Sequence, residues 1–332
     1  MQILITGGGG MLGQKLVGEF ARTGKLLDAK IDQITLADVF VEPKVPSHAE
    51  FNVISKFADL TLDGVAEALI ENKPDVIFHL AAVVSGEAET NFEKGYQVNV
   101  VGTRNLFEAI RKIGNGYCPR VVFTSSVAVY GGPYPEVVGD DFNLQPKTSY
   151  GAQKAIGELL LNDYSRRGFL DGIGIRLPTI CVRPGLPNKA ASGLFSNIIR
   201  EPLVGLDAIL SAGKGMTNFF ASPRSAVGFL INAAILDTSP LGDRRCLMMP
   251  GVAASIGDEI ESLRRVAGDK VVALIREERD PIIEKIVADW NFPRFESARA
   301  KALGFKCETT FDEIIQVHIE DELGGRIPGI EE

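Results

Sequence analysis

The first half of the chain alternates short apolar runs with longer stretches whose apolar residues recur at helical spacing. Short β-branched runs that end in a small or polar residue are typical of buried parallel strands. The predicted strands are Gln2–Thr6, Gln33–Asp38, Asp75–Leu80, Arg120–Ser125 and Gly172–Leu177. The predicted helices between them are Leu12–Thr23, Leu62–Asn72, Asn91–Ile113 and Tyr150–Arg167. This alternation predicts an α/β fold with a doubly wound parallel sheet, in which ligands bind at the carboxyl ends of the strands.

The pattern loosens after about Leu177, where prolines divide the chain into loops and short helices. These prolines are Pro178, Pro184, Pro187, Pro202 and Pro223. The predicted surface helices are Asp258–Ala267, Pro281–Asp289 and a shorter one over Ser297–Phe305 that stops at Gly304. We therefore expect one domain in residues 1–177 and a smaller C-terminal, mainly substrate-binding region in residues 178–332. Some segments of that region are expected to return to the first domain, with a cleft between the two.

The composition is that of a globular protein, with 45% hydrophobic and 23% charged residues among 332. A net charge of −8 argues against a nucleic-acid partner, which requires clustered Lys and Arg. The four cysteines are far apart and the three histidines lack HxH or HxxxH spacing, so we predict neither disulfides nor a metal site. The N-terminus has no basic leader, and no apolar run approaches the roughly 18 residues of a membrane span. We expect a cytoplasmic protein with no membrane partner.

A glycine-rich segment, TGGGGMLG at Thr6–Gly13, joins the first predicted strand to the first predicted helix. It places Gly7, Gly10 and Gly13 where glycine permits a sharp turn and lets a pyrophosphate approach the helix N-terminus. The structural alternative is a plain glycine turn. In this context the segment predicts a dinucleotide site.

The second predicted strand ends in Asp38, 25 residues after Gly13 and close to the ~20-residue spacing of a ribose-binding carboxylate. A carboxylate at this position repels a 2′-phosphate, and neither Val39 nor Phe40 is an arginine that could hold one. NAD is therefore favoured over NADP. A solvated aspartate at a strand end is the structural alternative.

Tyr150 and Lys154 lie four residues apart at the start of a predicted helix, so their side chains share one helix face. A nearby ammonium lowers the pKa of a phenol, which lets the tyrosine accept a proton from a substrate hydroxyl. Lysine in this place can also bond to the nicotinamide ribose. An ordinary pair on a helix surface is the structural alternative.

Upstream of this pair, an apolar strand ends in Ser125 and Ser126 before a turn. A hydroxyl there can polarise a substrate oxygen, whereas the alternative for either serine is capping or turn hydrogen bonding. The glycine-rich segment, the acidic strand end, the serines and the Tyr150–Lys154 pair occur in one order along the chain. Together they predict an NAD-dependent oxidoreductase.

Several motifs together resemble the extended short-chain dehydrogenase/reductase family, which includes NAD-dependent epimerases and dehydratases. They are TGGGGMLG, Asp38, Asp59-Leu60, HLAA at 79–82, Asn99 within NVVGT, SSVAVYG and YGAQK. The resemblance implies a Rossmann-like sheet, NAD as cofactor and a catalytic set of Ser126, Tyr150 and Lys154. It implies that Asn99 supports the active-site backbone or a proton-relay water. It also implies a homodimer, by analogy with relatives.

The cofactor-binding residues expected on these grounds are Gly7, Gly10, Met11, Leu12, Gly13, Asp38, Asp59, Leu60, Leu80, Ala81, Ala82, Asn99, Ser125, Tyr150, Lys154 and Pro178. The expected substrate-binding residues are Ser126, Tyr150, Thr179, Arg183 and Arg224.

The last three of these residues bear on the substrate. Thr179 stands where sugar-nucleotide members of the family carry an asparagine that helps hold the diphosphate, and Arg224 stands where paired aspartates are usual. Because arginine binds carboxylates in a bidentate manner, Arg183 and Arg224 suit a small anionic substrate. A structural ion pair is the alternative for each.

The segments RPGLPN, IIREPL, SPRSAV and SARAKALGF are similar to those of a family branch that oxidises a four-carbon sugar acid with NAD. We therefore expect a dehydrogenase of sugar-acid catabolism that acts on a CH–OH group. The enzyme alternatives are a nucleotide-sugar 4-epimerase and an L-threonine 3-dehydrogenase. The non-enzyme alternative is a redox-sensing or RNA-associated protein that binds NAD without turnover.

Overall fold

The computed structural model describes residues 1–39, 44, 46–185, 193–280, 284 and 291–330. Its strands are β1 Gln2–Thr6, β2 Lys25–Leu26, β3 Ala29–Lys30, β4 Gln33–Asp38, β5 Asn52–Phe57, β6 Val76–His79, β7 Arg120–Ser126, β8 Val137–Val138, β9 Asp171–Leu177, β10 Thr179–Ile180, β11 Ala208–Leu210, β12 Thr217–Ala221, β13 Cys246–Met248, β14 Val252–Ser255, β15 Ile275–Glu277 and β16 Arg294–Phe295.

Its α-helices are α1 Met11–Thr23, α2 Val65–Ile70, α3 Ser85–Thr90, α4 Phe92–Tyr96, α5 Thr103–Ile113, α6 Ser149–Arg166, α7 Gly193–Leu203, α8 Pro223–Ile235, α9 Ile256–Ala267, α10 Asp269–Val272, α11 Ala298–Ala302 and α12 Phe311–Glu322. A π-helix spans Gln97–Gly102, and 3-10 helices span Val127–Val129 and Ser239–Leu241. No helix within the described ranges is long and apolar enough to cross a membrane.

Seven of the described strands form one sheet in the order β13-β9-β7-β6-β1-β4-β5. The pairs β1–β4, β1–β6, β4–β5 and β6–β7 are parallel. Chain order reverses at β1, with β4 on one side of it and β6 on the other, so the carboxyl ends of these strands open onto a crevice. The predicted doubly wound, Rossmann-like fold is confirmed.

The predicted strands agree with the observed ones to within one residue at each end, whereas one predicted helix was wrong. Asn91–Ile113 is not continuous, because a π-helix at Gln97–Gly102 separates α4 from α5. The Asn91 side chain accepts from the Lys94 amide, which starts α4. The predicted helix Leu62–Asn72 is shorter, at Val65–Ile70. The predicted helix Pro281–Asp289 lies outside the described residues except for position 284, as do Phe40 and Pro187.

The chain divides into two compact units. The first consists of Met1–Tyr130, Leu144–Arg176 and Val227–Leu247, and the second of Gly131–Asn143, Leu177–Ala226 and Met248–Glu332. The core of the first unit lies between the sheet and its helices and includes Ile77, Phe107, Phe123 and Leu161. The assignment of cofactor to one part and substrate to the other stays a prediction.

The second unit has its own core, built around the short sheet β10-β12-β14. Helices α7, α9 and α12 supply apolar side chains that pack with Phe220 of β12. Ring centroids of Phe195 and Phe311 each lie 5.2 Å from that of Phe220, in edge-on geometry. This unit carries the predicted residues Pro178, Thr179, Arg183 and Arg224.

Candidate active site

The glycine-rich loop lies tightly against its neighbours in the first unit. Gly7 has a φ of +73°, and a Cβ there would lie 2.7 Å from the amide nitrogen of Ala81. A Cβ on Gly13 would lie 2.6 Å from the carbonyl oxygen of Gly7. Only glycine permits this packing of the loop between the end of β6 and helix α1. No described side chain caps the first turn of α1, so the N–H groups of Met11 and Leu12 can bind an anion.

Asp38, at the end of β4, is oriented by two backbone donors. Its carboxylate accepts from the amide of Gly9 at 2.9 Å and from that of Val39 at 2.7 Å. Each oxygen takes one of these bonds and keeps further acceptor capacity. The half-buried carboxylate therefore fits a ribose diol, and the uncapped helix fits a pyrophosphate.

The predicted residues Asp59 and Leu60 form a turn after β5. The Asp59 carboxylate accepts from the amide of Thr61 at 2.9 Å, and the buried Leu60 accepts at its carbonyl from Asn105 at 2.9 Å. Both residues are therefore fixed by local bonds. The contribution of this turn to cofactor binding stays a prediction.

Leu80, Ala81 and Ala82 are half-buried and follow β6 directly. The amide of Leu80 donates to the Thr6 carbonyl at 3.0 Å, which extends the pairing of β6 with β1. Because the side chains of Ala81 and Ala82 are small, they leave space beside the glycine-rich loop. All three stay predicted cofactor contacts.

Asn99 holds the loop that follows Ala82. Its side chain accepts from the Val83 amide at 2.8 Å and donates to the Val83 carbonyl at 3.0 Å and to Gln153 Oε1 at 2.7 Å. Asn99 is 3% exposed and lies in the π-helix. Of the two roles implied by the resemblance, this geometry supports the backbone-anchoring one, because the amide group is already engaged by protein atoms.

A buried hydrogen-bond chain through His79 was not predicted from the sequence. Its Nδ1 lies 2.7 Å from Thr6 Oγ1 and its Nε2 2.9 Å from Thr103 Oγ1, which donates to the carbonyl of Asn99. Burial lowers the pKa of His79 to about 3, with a smaller contribution from the Lys154 charge. The ring is therefore neutral, and its bonds join β1 to the π-helix. Its place at the end of an apolar strand was the available sequence signal.

The predicted pair Tyr150 and Lys154 lies on α6. Thr148 accepts from the amide of Gly151 at 3.1 Å and so caps the helix one residue before it begins. The Lys154 ammonium donates to the carbonyl of Thr124 at 2.8 Å and lies 5.7 Å from the centroid of the Tyr150 ring. The positive charge of Lys154 is therefore close to the Tyr150 ring, as the four-residue spacing predicts.

Lys154 is only 3% exposed. Its ammonium also lies 5.0 Å from the centroid of the Phe123 ring. Burial lowers the pKa of Lys154 to about 8, against the opposing effect of the Glu158 charge. A lysine in this state supplies positive charge beside Tyr150 and titrates close to neutral pH.

Ser126 ends β7 and begins the 3-10 turn Val127–Val129. Its hydroxyl oxygen accepts from the amide of Ala128 at 3.1 Å, and the residue is half-buried. A Cβ on Gly151 would collide with the carbonyl oxygen of Ala128. The start of α6, which carries Tyr150, therefore lies directly against the turn that carries Ser126.

Ser125 faces into the protein. It is 2% exposed, and its hydroxyl donates to Glu158 Oε1 at 2.5 Å. Glu158 also pairs with Arg176, whose guanidinium donates to Tyr130. The Ser125 side chain is thus engaged in the core, and a cofactor contact by this residue stays a prediction. Neither Glu158 nor Arg176 was predicted from the sequence, although a glutamate one turn after Lys154 on an apolar helix was a usable signal.

In the second unit, Pro178 is buried and Thr179 begins β10. The Thr179 hydroxyl donates to Asn218 Oδ1 at 2.9 Å. The backbone of Arg183 is held at both ends, since its amide donates to Ser196 Oγ at 3.0 Å and its carbonyl accepts from Arg200 at 2.7 Å. The side chain of Arg183 is half-buried.

Arg224, for which a substrate-binding role stays a prediction, contacts carboxylates of its own unit. Its exposed guanidinium, at the start of α8, pairs with Glu320 at 2.9 Å and also with Asp321. These carboxylates belong to α12 and raise the pKa of Arg224 further above its usual value. The structural alternative, an ion pair, is the arrangement observed.

No group of His, Cys, Asp and Glu side chains in the described part of the chain could hold a metal ion. The four cysteines are free thiols. The first unit carries both the glycine-rich loop and the residues Ser126, Tyr150 and Lys154.

A family model described as "NAD dependent epimerase/dehydratase family" matches residues 3–218. The chain is 47% identical to a D-erythronate dehydrogenase from Cupriavidus necator, over 97% of this chain and 98% of the relative. It is 40% identical to a D-erythronate dehydrogenase from Haemophilus influenzae, over 97% and 100% of the two chains. The predicted resemblance to a sugar-acid branch is confirmed.

Solved structures show the same fold. A protein from Agrobacterium tumefaciens named a nucleoside-diphosphate-sugar epimerase is 56% identical, with a TM-score of 0.96 over 98% of this chain and 96% of the other. A GalE-like L-threonine dehydrogenase from Cupriavidus necator has a TM-score of 0.82 at 20% identity, over 97% and 99% of the two chains. The second similarity concerns the fold alone.

Proposed function

Because the chain belongs to the NAD dependent epimerase/dehydratase family, we propose that it is an NAD-dependent dehydrogenase that oxidises D-erythronate at C2 to 2-dehydro-D-erythronate. The two relatives named D-erythronate dehydrogenase support this substrate. The observation that carries the chemistry is the buried ammonium of Lys154 beside the ring of Tyr150.

Tyr150 and Ser126 have separate roles in the proposed transfer of the substrate proton. The Tyr150 phenolate, favoured by the charge of Lys154, accepts the proton of the C2 hydroxyl. The Ser126 hydroxyl, whose oxygen is already fixed by the Ala128 amide, donates to the substrate oxygen and orients it. Loss of the hydroxyl proton and of a hydride from C2 leaves the ketone.

NAD, when bound, supplies the acceptor for that hydride. The residues that would hold it are Asp38 at the ribose hydroxyls and the N–H groups at the start of α1 at the pyrophosphate. The carboxylate of Asp38, set by two backbone donors, disfavours a second phosphate at the ribose. This selection favours NAD over NADP.

A substrate of this class carries a carboxylate that needs a cationic partner. Of the two predicted arginines, we assign the substrate carboxylate to Arg183, because its side chain is half-buried whereas Arg224 is exposed. Its backbone is held by Ser196 and Arg200, which would limit the positions open to its guanidinium. Thr179 stays a proposed substrate neighbour.

A nucleotide-sugar 4-epimerase is the second candidate, favoured by the name of the Agrobacterium tumefaciens protein at 56% identity. An epimerase returns the hydride to its substrate and retains the cofactor, whereas a dehydrogenase releases NADH. The presence of Thr179 where sugar-nucleotide members carry an asparagine argues against the epimerase.

The test is to incubate the purified protein with NAD and D-erythronate and to follow the absorbance of free NADH. UDP-glucose and L-threonine serve as parallel substrates. Of the three substrates, we expect only D-erythronate to give sustained NADH formation. Interconversion of the UDP-hexose without NADH release would favour the epimerase instead, and NADH formation from L-threonine alone would favour the threonine dehydrogenase.

A further inference from the structure

We propose that the buried ion pair of Glu158 and Arg176 positions Ser126, by holding both ends of the turn that carries this serine. The inference deepens the function proposed above and rests on it. Neither residue touches the reacting atoms in this account. They act on the reaction through the placement of the Ser126 hydroxyl.

The ion pair is enclosed and bidentate. Arg176 Nε lies 2.9 Å from Glu158 Oε1, and its Nη2 lies 2.7 Å from Oε2. The exposed fractions of the two side chains are 12% and 1%. Two parallel N–H···O bonds fix the mutual orientation of the planar groups, so this pair can serve as a rigid reference inside the first unit.

Both ends of the Ser126 turn are tied to this pair. On one side, the Ser125 hydroxyl donates to Glu158 Oε1 at 2.5 Å. On the other side, Arg176 Nη1 donates to the Tyr130 hydroxyl at 2.6 Å, and the guanidinium lies 5.2 Å from the centroid of that ring. The segment between these anchors contains Ser126 and the 3-10 turn, so the pair fixes the backbone from both directions.

One member of the pair lies on the helix that carries the proposed base. Glu158 lies on α6, two turns after Tyr150. The start of that helix already contacts the turn, because Gly151 packs against the carbonyl of Ala128. Anchoring the turn to Glu158 therefore fixes Ser126 relative to Tyr150. A turn that slips from its anchors misplaces the hydroxyl without removing any reacting group.

Such a role explains why a charged network occupies a site that apolar side chains could fill. Buried ion pairs contribute little net stability compared with well-packed apolar residues of the same volume. What the network supplies is direction, since each hydrogen bond requires a specific angle. Small errors in the position of a reacting group reduce turnover strongly.

The test compares two tyrosines of the first unit. Tyr130→Phe removes one anchor of the turn. Tyr164→Phe is the matched control. The Tyr164 hydroxyl also donates to a charged partner, Glu108, but Tyr164 lies near the other end of α6, away from the turn. We expect Tyr130→Phe to lower kcat about tenfold, with KM for NAD within twofold of wild type, and Tyr164→Phe to leave kcat unchanged. Equal kcat values in the two variants would overturn the proposal.

A double-mutant cycle separates positioning from general weakening. If the anchor acts through Ser126, Tyr130→Phe lowers kcat about tenfold in the wild-type background and less than twofold in a Ser126→Ala background. Equal reductions in both backgrounds contradict the inference, although the function proposed above survives. If Ser126→Ala leaves kcat unchanged, both the inference and the proposed role of this serine fail.

Hydrogen exchange supplies a readout that needs no substrate. The amide of Ala128 donates to Ser126 Oγ and that of Tyr130 to the Val127 carbonyl. We expect these two amides to exchange about tenfold faster in Ser125→Ala and in Tyr130→Phe, and at the wild-type rate in Tyr164→Phe. Unchanged exchange in both anchor variants would refute the inference even if D-erythronate proved not to be the substrate.

Discussion

The two units each bury a glutamate, and they do so in different ways. Glu158 in the first unit is 1% exposed and accepts three hydrogen bonds, two from Arg176 and one from Ser125. Glu259 in the second unit is 0% exposed, and neither oxygen has a hydrogen-bond partner among the described residues. Burial raises the pKa of Glu259 well above its usual value, because no charge partner or donor that the structure describes replaces the lost water.

The comparison shows that burial alone does not decide how a carboxyl group behaves. A carboxylate beside a guanidinium is stabilised in the interior, because the opposing charge and the donors replace water. For a carboxyl group without such partners, burial of the charged form is unfavourable, so the protonated, neutral form is favoured more than in water. In this protein the paired carboxylate lies next to the proposed catalytic residues. The unpaired one lies on α9, in the second unit.

The largest expected effect tests whether the polar groups of the first unit are catalytic. Tyr150→Phe removes the proposed base while keeping the ring beside Lys154. We expect kcat to fall about a hundredfold to ten-thousandfold, with NADH affinity, followed by fluorescence titration, changed less than twofold. A variant with wild-type turnover would assign the proton transfer to another group.

Breaking the buried ion pair should give the next largest effect. Glu158→Ala leaves the Arg176 charge uncompensated, so we expect the free energy of unfolding to fall by about 3–5 kcal/mol. Glu259→Gln is the control, since it replaces one neutral buried group by another of similar size. For Glu259→Gln at pH 5, urea denaturation should show a change in the free energy of unfolding of less than about 1 kcal/mol. Similar losses in both variants would remove the distinction between the two glutamates.

The pH dependence of stability sharpens the same comparison. Because the pKa of Glu259 is raised on folding, the folded state binds more protons than the unfolded state at pH values above about 4.5. The free energy of unfolding therefore falls as pH rises from about 4.5 toward the folded pKa. Wild type should lose stability relative to Glu259→Gln by up to about 1.4 kcal/mol for each pH unit in this window. A constant difference between pH 5 and pH 8 would show that Glu259 does not titrate as proposed.

The smallest expected effects separate two arginines of the second unit. Arg224→Ala breaks an exposed ion pair, so we expect a stability loss of about 1 kcal/mol or less and an unchanged KM for the sugar acid. Arg183→Ala should raise that KM about tenfold or more while KM for NAD stays within twofold. Equal KM values for the acid in the two variants would remove Arg183 from the substrate site.

Much of the first unit could be predicted because its signals are local. The strand Gln2–Thr6 is an apolar run next to a glycine that must turn, and β4 ends at Asp38 as expected. Tyr150 and Lys154 share a helix face by spacing alone. Nothing local indicated the π-helix at Gln97–Gly102, because its wide turn accompanies a tertiary bond from Asn99 to Val83.

The remaining features depend on distant parts of the chain. The Glu158–Arg176 pair joins a helix to a strand, and the role of Arg224 depended on Glu320 and Asp321, almost a hundred residues away. Residue type alone could not distinguish a carboxylate ligand from an ion-pair partner there. The homodimer stays a prediction, which sedimentation of the purified protein tests.

In the proposed reaction a hydride leaves C2 of a sugar acid and appears in released NADH, and isotope transfer can follow this hydride. D-erythronate carrying deuterium at C2 is incubated with NAD and the protein, and the separated cofactor is analysed by mass spectrometry. We expect deuterium in the free NADH and an unlabelled ketone product. Unlabelled NADH, or deuterium retained in the sugar acid after turnover, would contradict it.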